Sequence, residues 1–248
     1  MSNIVAIIFV CHNNESISNI IHYNHHIILV GDQEINEEYL KYPKLIIARN
    51  LKNNIEYEKR LLTFTAWYAI SKNNLFLDYN YLCILEYDVL LHESFEKKIT
   101  EAINKNFNKI QTLSSHTSTP EFSVQASSST PPLLQICFIA AEMYWFFLDI
   151  KLDVLHNFLQ LKNIDVNIIS KLDYWGSSTN QCIHRDTING FVDWYFPSYD
   201  FIKTNHYQKL PYYHERLFAI YLKSINMDNL YIPDILRHYS IKSHIKYE

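Results

Sequence analysis

The sequence predicts a single α/β domain in which a mixed, mainly parallel sheet is flanked by helices. Short apolar runs alternate with helical patterns through the first half of the chain, at residues 4–10, 27–30, 45–47 and 82–85. This alternation is typical of parallel strands connected by helices that pack on the sheet. A hydrophobic content of 48% in 248 residues provides a substantial core. Because no repeat or linker divides the chain, residues 1–248 are expected to form one domain.

The helices are predicted from capping residues and from the spacing of apolar side chains. Ser16 is a candidate N-cap for a short helix that ends near His22, and Ser94 for a helix that follows it. A further helix is predicted where four residues share one helical face: Tyr57, Leu61, Phe64 and Tyr68. A last helix after Pro211 is predicted from another such face: Tyr213, Leu217, Ile220 and Tyr221.

A polar segment lies near the middle of the chain. Residues 114–132, SSHTSTPEFSVQASSSTPP, are rich in Ser, Thr and Pro, which predicts a mobile surface loop. The chain after this segment is rich in aromatic residues.

Composition excludes several classes of function. The net charge is -4 and the 22 basic residues are scattered, so a nucleic-acid partner is not expected. Four distant cysteines do not indicate a disulfide framework or a structural zinc site, and three glycines leave no Gly-rich phosphate loop. The apolar runs are too short for a membrane span and no signal peptide is present, which predicts a soluble, cytoplasmic protein. The oligomeric state is not indicated.

An acidic pair stands at the end of the fourth predicted strand, in CILEYDVLL. Alternation in extended backbone puts Glu86 and Asp88 on the same side. Two carboxylates at this point suit Mg²⁺ or Mn²⁺, which phosphate oxygens and water would complete. The alternative is that one acid caps the next helix and the other pairs with Lys or Arg. Residues 11–14 and Asp32 also follow predicted strands, where ligands of parallel sheets bind.

These segments resemble motifs of GT-A fold glycosyltransferases. CILEYDVLL is similar to the strand that ends in the DxD motif, with Glu in the first position, and NIVAIIFVCHNNES resembles the first strand and nucleotide-binding loop. ILVGD resembles the second strand, whose acidic end meets the base or ribose of the donor. The resemblance implies a GT-A-like sheet, bound Mn²⁺ or Mg²⁺, a nucleoside-diphosphate sugar donor with UDP-sugar favoured, and a glycan or other hydroxyl acceptor. It also implies that residues 1–110 form the nucleotide-sugar-binding half of the domain, and that residues 111–248 form the acceptor-binding half with the C-terminal tail.

The resemblance also implies roles for single residues. Asp88 and Glu86 would bind the metal, and the donor would contact Glu86 together with Cys11, His12, Asn13, Asn14 and Asp32. RHYSIKSH is similar to the C-terminal His-x-x-x-Lys segment of these enzymes. It implies His238 as a further metal ligand, His244 as the alternative histidine, and Lys242 as a contact of the pyrophosphate. Without this resemblance, His238 and His244 would be interpreted more simply as structural residues.

The acceptor side is expected to supply the catalytic base. YHERLF resembles an acid-bearing helix start, which implies Glu215 as the base of an inverting reaction, with Asp193 as second choice. In a retaining reaction Glu215 would only position the substrate, and as an exposed residue it would be an ordinary first-turn acid. DYWGSSTN suggests Trp175 and Gly176 as acceptor contacts, with Trp194 in a nearby aromatic run, although such rings are usually core residues.

Two other classes of protein compete with this interpretation. A nucleotidyltransferase or another phosphate-transferring enzyme could use a similar metal pair, but CHNNES stands where a Gly-rich, basic loop would be expected. A non-catalytic carbohydrate-binding protein would explain the 15% aromatic content. The identities of the sugar and of the acceptor are not encoded in any motif found here.

Overall fold

The computed structural model describes residues 3–58, 60–115, 134–137, 140–141, 146–172, 175–176, 180–232 and 235–238. The strands are β1 (Asn3–Cys11), β2 (His26–Leu29), β3 (Leu45–Ile47), β4 (Tyr79–Glu86), β5 (Val89–Leu91), β6 (Leu134–Cys137), β7 (Ala140–Ala141), β8 (Trp175–Gly176), β9 (Gln181–His184), β10 (Asp228–Tyr231) and β11 (Leu236–His238). The α-helices are α1 (Asn14–Ile20), α2 (Glu37–Leu40), α3 (Thr63–Lys72), α4 (Phe95–Ser115), α5 (Leu152–Leu161), α6 (Arg185–Tyr195), α7 (Tyr199–His206) and α8 (Leu210–Ser224). Short 3₁₀ helices occupy Ile21–Tyr23, Ala48–Asn50, Val166–Lys171, Phe196–Ser198 and Tyr207–Lys209.

The main sheet has seven strands in the order β10-β6-β9-β4-β1-β2-β3. The four strands β3, β2, β1 and β4 are mutually parallel. β9 is antiparallel to both of its neighbours, β4 and β6, whereas β10 is parallel to β6. Among the strands of the described residues, only β9 therefore opposes the common direction of the main sheet. The predicted mixed, mainly parallel sheet with flanking helices is confirmed.

Helices cover both faces of the sheet, so the central strands are buried on both sides. Alternate residues of β1 and β4, such as Ile8 and Ile84, pack with α3, α6 and α8. The intervening residues, such as Phe9 and Cys83, pack with α1 and α4. Residues 4–11 of β1 and residues 81–85 of β4 are apolar without interruption because neither face of these strands meets water.

The first helix begins three residues earlier than predicted. Asn13 is its N-cap, and the Ser16 backbone N–H donates to the Asn13 Oδ1 at 2.8 Å. The Ser16 hydroxyl in turn accepts the Asn13 backbone N–H at 2.9 Å. Ser16 is thus the returning partner of a capping box rather than the cap itself.

The predicted helix through Tyr57 and Tyr68 is wrong in its first half. α3 begins at Thr63, and the preceding residue, Leu62, has a positive φ of 45°, which a continuous helix cannot contain. The chain before Leu62 is held by tertiary contacts instead. The Gly31 backbone N–H donates to the Glu56 carboxylate at 2.7 Å.

The remaining predicted helices agree more closely with the structure. α4 follows Ser94 directly, and α8 opens with Leu210 and Pro211. α4 also contains Ser114 and Ser115, so the predicted loop starts too early. The rest of that loop, residues 116–132, lies outside the described residues.

Two small sheets accompany the main one. β7 pairs with β8, and β5 pairs antiparallel with β11, so that His238 is opposite Val89. The pairing brings the C-terminal part of the chain back to the strand that follows the acidic pair. Among the helices of the described residues, none is long and apolar enough to cross a membrane.

Candidate active site

The acidic pair lies at a point where the strand connections diverge. From β1 the chain proceeds to β2 and β3 on one side, whereas β4 lies on the other side of β1. In open parallel sheets, ligands bind at the carboxyl ends of the strands beside such a switch point. His12 and Asn13 follow β1 there, and Tyr87 and Asp88 follow β4.

The loops after β1 and β4 are in contact. The ring of His12 meets the ring of Tyr87 edge-on, with 5.7 Å between the centroids and 82° between the planes. Burial lowers the pKa of His12, and the nearby Asp88 carboxylate acts in the opposite direction. Burial raises the pKa of Tyr87, and the negative charges of Asp88, Glu86 and Glu15 raise it further. The structure therefore brings His12 close to the acidic pair.

Other residues that were predicted to contact the sugar-nucleotide donor have different positions and contacts in this fold. Asn13 caps α1. The Asn14 side chain donates to the Glu34 carbonyl at 3.1 Å and accepts the Asn36 backbone N–H at 2.9 Å, which ties the loop after β2 to α1. Cys11 is fully buried in the core. Asp32 is exposed on that same loop.

Three parts of the fold position Glu86: its own strand β4, helix α3 and the residue Asn180. It shares the face of β4 that carries Leu82 and Ile84, and thus points toward α3. Its backbone N–H donates to Asn180 Oδ1 at 2.7 Å, and Thr63 Oγ1 lies 3.4 Å from its Oε1. Asn180 is fully buried.

Thr63 and Asn180 were not predicted as site residues. Asn180 ends the polar segment DYWGSSTN, which the sequence did mark, but the side chain that orients Glu86 could not be singled out there. Thr63 looks like an ordinary helix residue in the sequence, because only tertiary structure brings α3 to the end of β4.

Glu215 lies in the second turn of α8 and lines the same cleft as Glu86. Its side chain is 25% exposed. Burial raises the pKa of Glu215 to about 7, and the Glu86 carboxylate also raises it, whereas the adjacent Arg216 guanidinium opposes both. Arg216 donates to Glu215 Oε2 at 2.8 Å and to the Phe146 carbonyl at 3.2 Å. A carboxylate with a pKa near 7 is suited to general-base catalysis.

The cleft between these two acids is open to solvent and has a cavity volume of about 50 Å³. Its polar lining consists of Thr63, Glu86, Gln181, His214 and Glu215. Its apolar lining comes mainly from α3, α6 and α8: Leu61, Leu62, Phe64, Trp67, Phe191, Pro211 and Phe218. An apolar cavity with a few convergent polar groups is the usual form of a small-molecule site.

Asp193 and Trp194 do not line this cleft. The Asp193 carboxylate pairs with Lys72, at the C-terminal end of α3, whereas Thr63 and Glu86 meet at its N-terminal end. A helix of ten residues is about 15 Å long, so the two ends are well separated. Trp194 packs against Phe158 and other rings of the core. The structure thus does not bring Asp193, the second-choice base, or Trp194, a predicted acceptor contact, close to Glu86.

Trp175 and Gly176 are described only by their backbone. They form β8, which pairs with Ala141 and Ala140 and contacts α8, the helix that carries Glu215. Their strand is therefore adjacent to the helix of the candidate base.

The predicted metal ligands come from both ends of the chain. Asp88 directly precedes Val89, whose β-bridge partner is His238. Opposed Cα atoms in antiparallel strands are about 5 Å apart, so the His238 backbone is close to the acidic pair. Lys242 and His244 lie outside the described residues. Within the described part of the chain, no group of three or more His, Cys, Asp and Glu side chains could hold a metal ion.

Two carboxylates nevertheless match one common mode of Mg²⁺ binding. In this mode one or two protein carboxylates share the ion with phosphate oxygens of a substrate and with water. Glu86 and Asp88 could supply that number, next to Tyr87, whose pKa is raised in part by these two carboxylates and Glu15.

The chain matches no family model and no curated protein.

Proposed function

We propose that the chain is a metal-dependent glycosyltransferase that moves a sugar from a nucleoside-diphosphate sugar, with UDP-sugar favoured, to a hydroxyl acceptor. One observation carries the proposal: Glu86 on β4 and Glu215 on α8 line a single cleft, beside Asp88 and the switch point of the sheet. The confirmed mainly parallel sheet also supports a GT-A-like fold.

The nucleoside diphosphate would bind at the carboxyl ends of β1 and β4, between the loops that follow these strands. His12 and Tyr87, whose rings are in edge-on contact, would form its walls. Asp88 and Glu86 would hold Mn²⁺ or Mg²⁺, which would supply Lewis-acid stabilisation of the charge on the departing diphosphate. Asn180 holds the backbone of Glu86 at the strand end, so the acid is preorganised for this task.

Glu215 would act as the base. The acceptor hydroxyl oxygen forms a bond to the anomeric carbon, the bond from that carbon to the diphosphate breaks, and the hydroxyl proton goes to Glu215. Arg216 holds the Glu215 carboxylate from the side of the protein interior. A raised pKa near 7 makes this carboxylate a better proton acceptor than an ordinary glutamate while leaving it largely ionised at slightly alkaline pH.

A thermal-shift panel of nucleoside diphosphates, with and without Mn²⁺, tests the proposal directly. A ligand that binds only the native state raises the melting temperature, so one diphosphate should do so in a Mn²⁺-dependent manner. Asp88→Asn should remove this effect. Asp78→Asn is the matched control, because Asp78 is an exposed acid at the opposite end of β4.

The outcomes separate the competing functions. Release of free sugar and nucleoside diphosphate from one nucleotide sugar supports a transferase, because many bound donors hydrolyse slowly when no acceptor is present. Binding of a nucleoside triphosphate with pyrophosphate release would instead indicate a nucleotidyltransferase. No nucleotide effect under any condition would refute the proposal.

The C-terminal histidines need a deletion that keeps the fold. Ile235 and Leu236 are buried, so removing all residues after Pro233 would damage the core as well as the site. Deleting residues 239–248 keeps β11 and removes Lys242 and His244. Mn²⁺-dependent nucleotide binding that survives this deletion but is lost in His238→Ala would support His238 as the third ligand.

A further inference from the structure

Two residues that line the cleft each carry a buried nitrogen atom that has no hydrogen-bond partner among the described residues. They are Nε1 of the Trp67 indole and Nε2 of the His214 imidazole. Trp67 is 3% exposed and His214 is 6% exposed, and both residues line the cleft. Buried polar atoms are nearly always paired in native proteins, because an unpaired one loses its hydration without compensation. A ligand in the cleft could provide the missing partners.

Neighbouring rings hold both side chains in place. Trp67 meets Phe218 edge-on, with 4.7 Å between the ring centroids. His214 lies 4.8 Å from Phe64 and 4.9 Å from Tyr195, measured between centroids. These ring contacts restrict the orientation of both side chains.

The chemistry of the cleft limits which group can bind. An indole nitrogen only donates, so the ligand must present an acceptor to Trp67. Burial lowers the pKa of His214 to about 3, so its imidazole is neutral and carries one donor and one acceptor nitrogen. The carboxylates of Glu86 and Glu215 repel an anionic group. An ammonium group has no acceptor for the indole N–H, which leaves a neutral group with both a donor and an acceptor.

We propose that this cleft binds the acylamino group of an N-acylated amino sugar. The carbonyl oxygen accepts a hydrogen bond from Trp67 Nε1, the amide N–H donates to His214 Nε2, and the methyl group contacts Phe191 and Phe218. A hydroxyl at the same ring position could pair with the nitrogens but would leave the apolar wall uncovered. The inference rests on the proposed function, since the same sugar would bring its reacting atom to Glu215.

The test compares two neutral probes on the full chain: the methyl glycosides of N-acetylglucosamine and of glucose. Their dissociation constants are measured by NMR titration, with and without uridine diphosphate and Mn²⁺. The N-acetylated probe is expected to bind about tenfold more tightly. Trp67→Phe and His214→Phe each keep a flat ring and remove a nitrogen, so each should abolish most of this preference.

Thr187→Val is the matched control. Thr187 Oγ1 is another buried atom that lacks a partner among the described residues, but it does not line the cleft. This variant should retain the full preference for the N-acetylated probe. Equal binding of the two probes to the parent chain, or binding of neither, overturns the proposal even if a variant fails to fold. An unchanged preference in folded Trp67→Phe and His214→Phe overturns it as well.

The two proposals can fail separately. Mn²⁺-dependent nucleotide binding without a preference between the glycosides would reject the acylamino site alone. A preference for the N-acetylated glycoside without any nucleotide binding would reject the transferase and leave a carbohydrate-binding site in this cleft.

Discussion

Replacing Glu215 with glutamine should remove a pH-dependent loss of stability. Burial is the main reason why the pKa of Glu215 rises from 4.5 to about 7. Because the folded protein then binds this proton more tightly than the unfolded chain, the contribution to stability is fully present below pH 4.5. It is lost as the pH rises through about 7. Each pKa unit is worth about 1.4 kcal/mol, so the loss reaches about 3 kcal/mol at pH 8.

The adjacent histidine produces the opposite slope. Burial lowers the pKa of His214 from 6.5 to about 3, so its contribution to stability is present above pH 6.5 and is lost as the pH falls toward 3. Between pH 5 and pH 8, Glu215 alone should reduce the free energy of unfolding by about 2.5 kcal/mol and His214 alone should increase it by about 2 kcal/mol. In the parent chain the two slopes nearly cancel.

The assay is urea unfolding followed by tryptophan fluorescence at pH 5, 6.5 and 8. Relative to the parent, Glu215→Gln should gain about 2.5 kcal/mol more at pH 8 than at pH 5, and His214→Phe should show the reverse trend. Glu101→Gln on the exposed face of α4 is the control, because its side chain is 63% exposed. A constant difference between Glu215→Gln and the parent at all three pH values would refute a raised pKa for Glu215.

Three substitutions test the rest of the site and its supporting helices. Asp88→Ala should abolish Mn²⁺-dependent stabilisation by a nucleoside diphosphate in a thermal melt, without a large change in the melting temperature of the free protein. Asn180→Ala removes the acceptor of the Glu86 backbone N–H and should cost about 1–3 kcal/mol in urea unfolding; an unchanged free energy would show that the bond does not matter. A Cβ at Gly190 would lie 2.2 Å from the Tyr221 hydroxyl oxygen. Gly190→Ala should therefore destabilise α6 packing by about 1–3 kcal/mol despite the better helix propensity of alanine, and adding Tyr221→Phe should recover most of the loss.

The first four strands were predictable because their signal is local. Strands buried on both faces are usually apolar throughout, and this pattern is visible in the sequences of β1, β2 and β4. β9 was not predicted, because its sequence lacks such an apolar pattern. It contains Gln181 and His184, which are buried in the structure, so its sequence is half polar. Polar residues can occupy a central strand only where tertiary contacts accommodate them, and such contacts leave no periodic signal.

The site was predictable to the extent that its residues are unusual in their local context. Glu86 and Asp88 stand out because acids interrupt an apolar run, and Glu215 because it follows Pro211 at the start of a helix. Trp67 and His214 resemble core residues in the sequence, and they do lie in the core. Their unpaired nitrogens become apparent only when α3 and α8 are placed beside each other.

The electrostatics of the cleft connect the acid pair to the proposed base. Part of the rise in the pKa of Glu215 comes from the negative charge of Glu86. A divalent cation bound by Glu86 and Asp88 would offset that charge and lower the pKa of Glu215, while the larger part of the rise, which burial causes, would remain. In the presence of Mn²⁺ the stability loss would then be smaller and would occur at lower pH, and only in a chain that retains Glu215. The unfolding experiment thus reports metal binding at the acid pair without requiring turnover. If Mn²⁺ does not change the pH dependence of the free energy of unfolding of the parent chain, Glu215 is not electrostatically coupled to a metal at the acid pair.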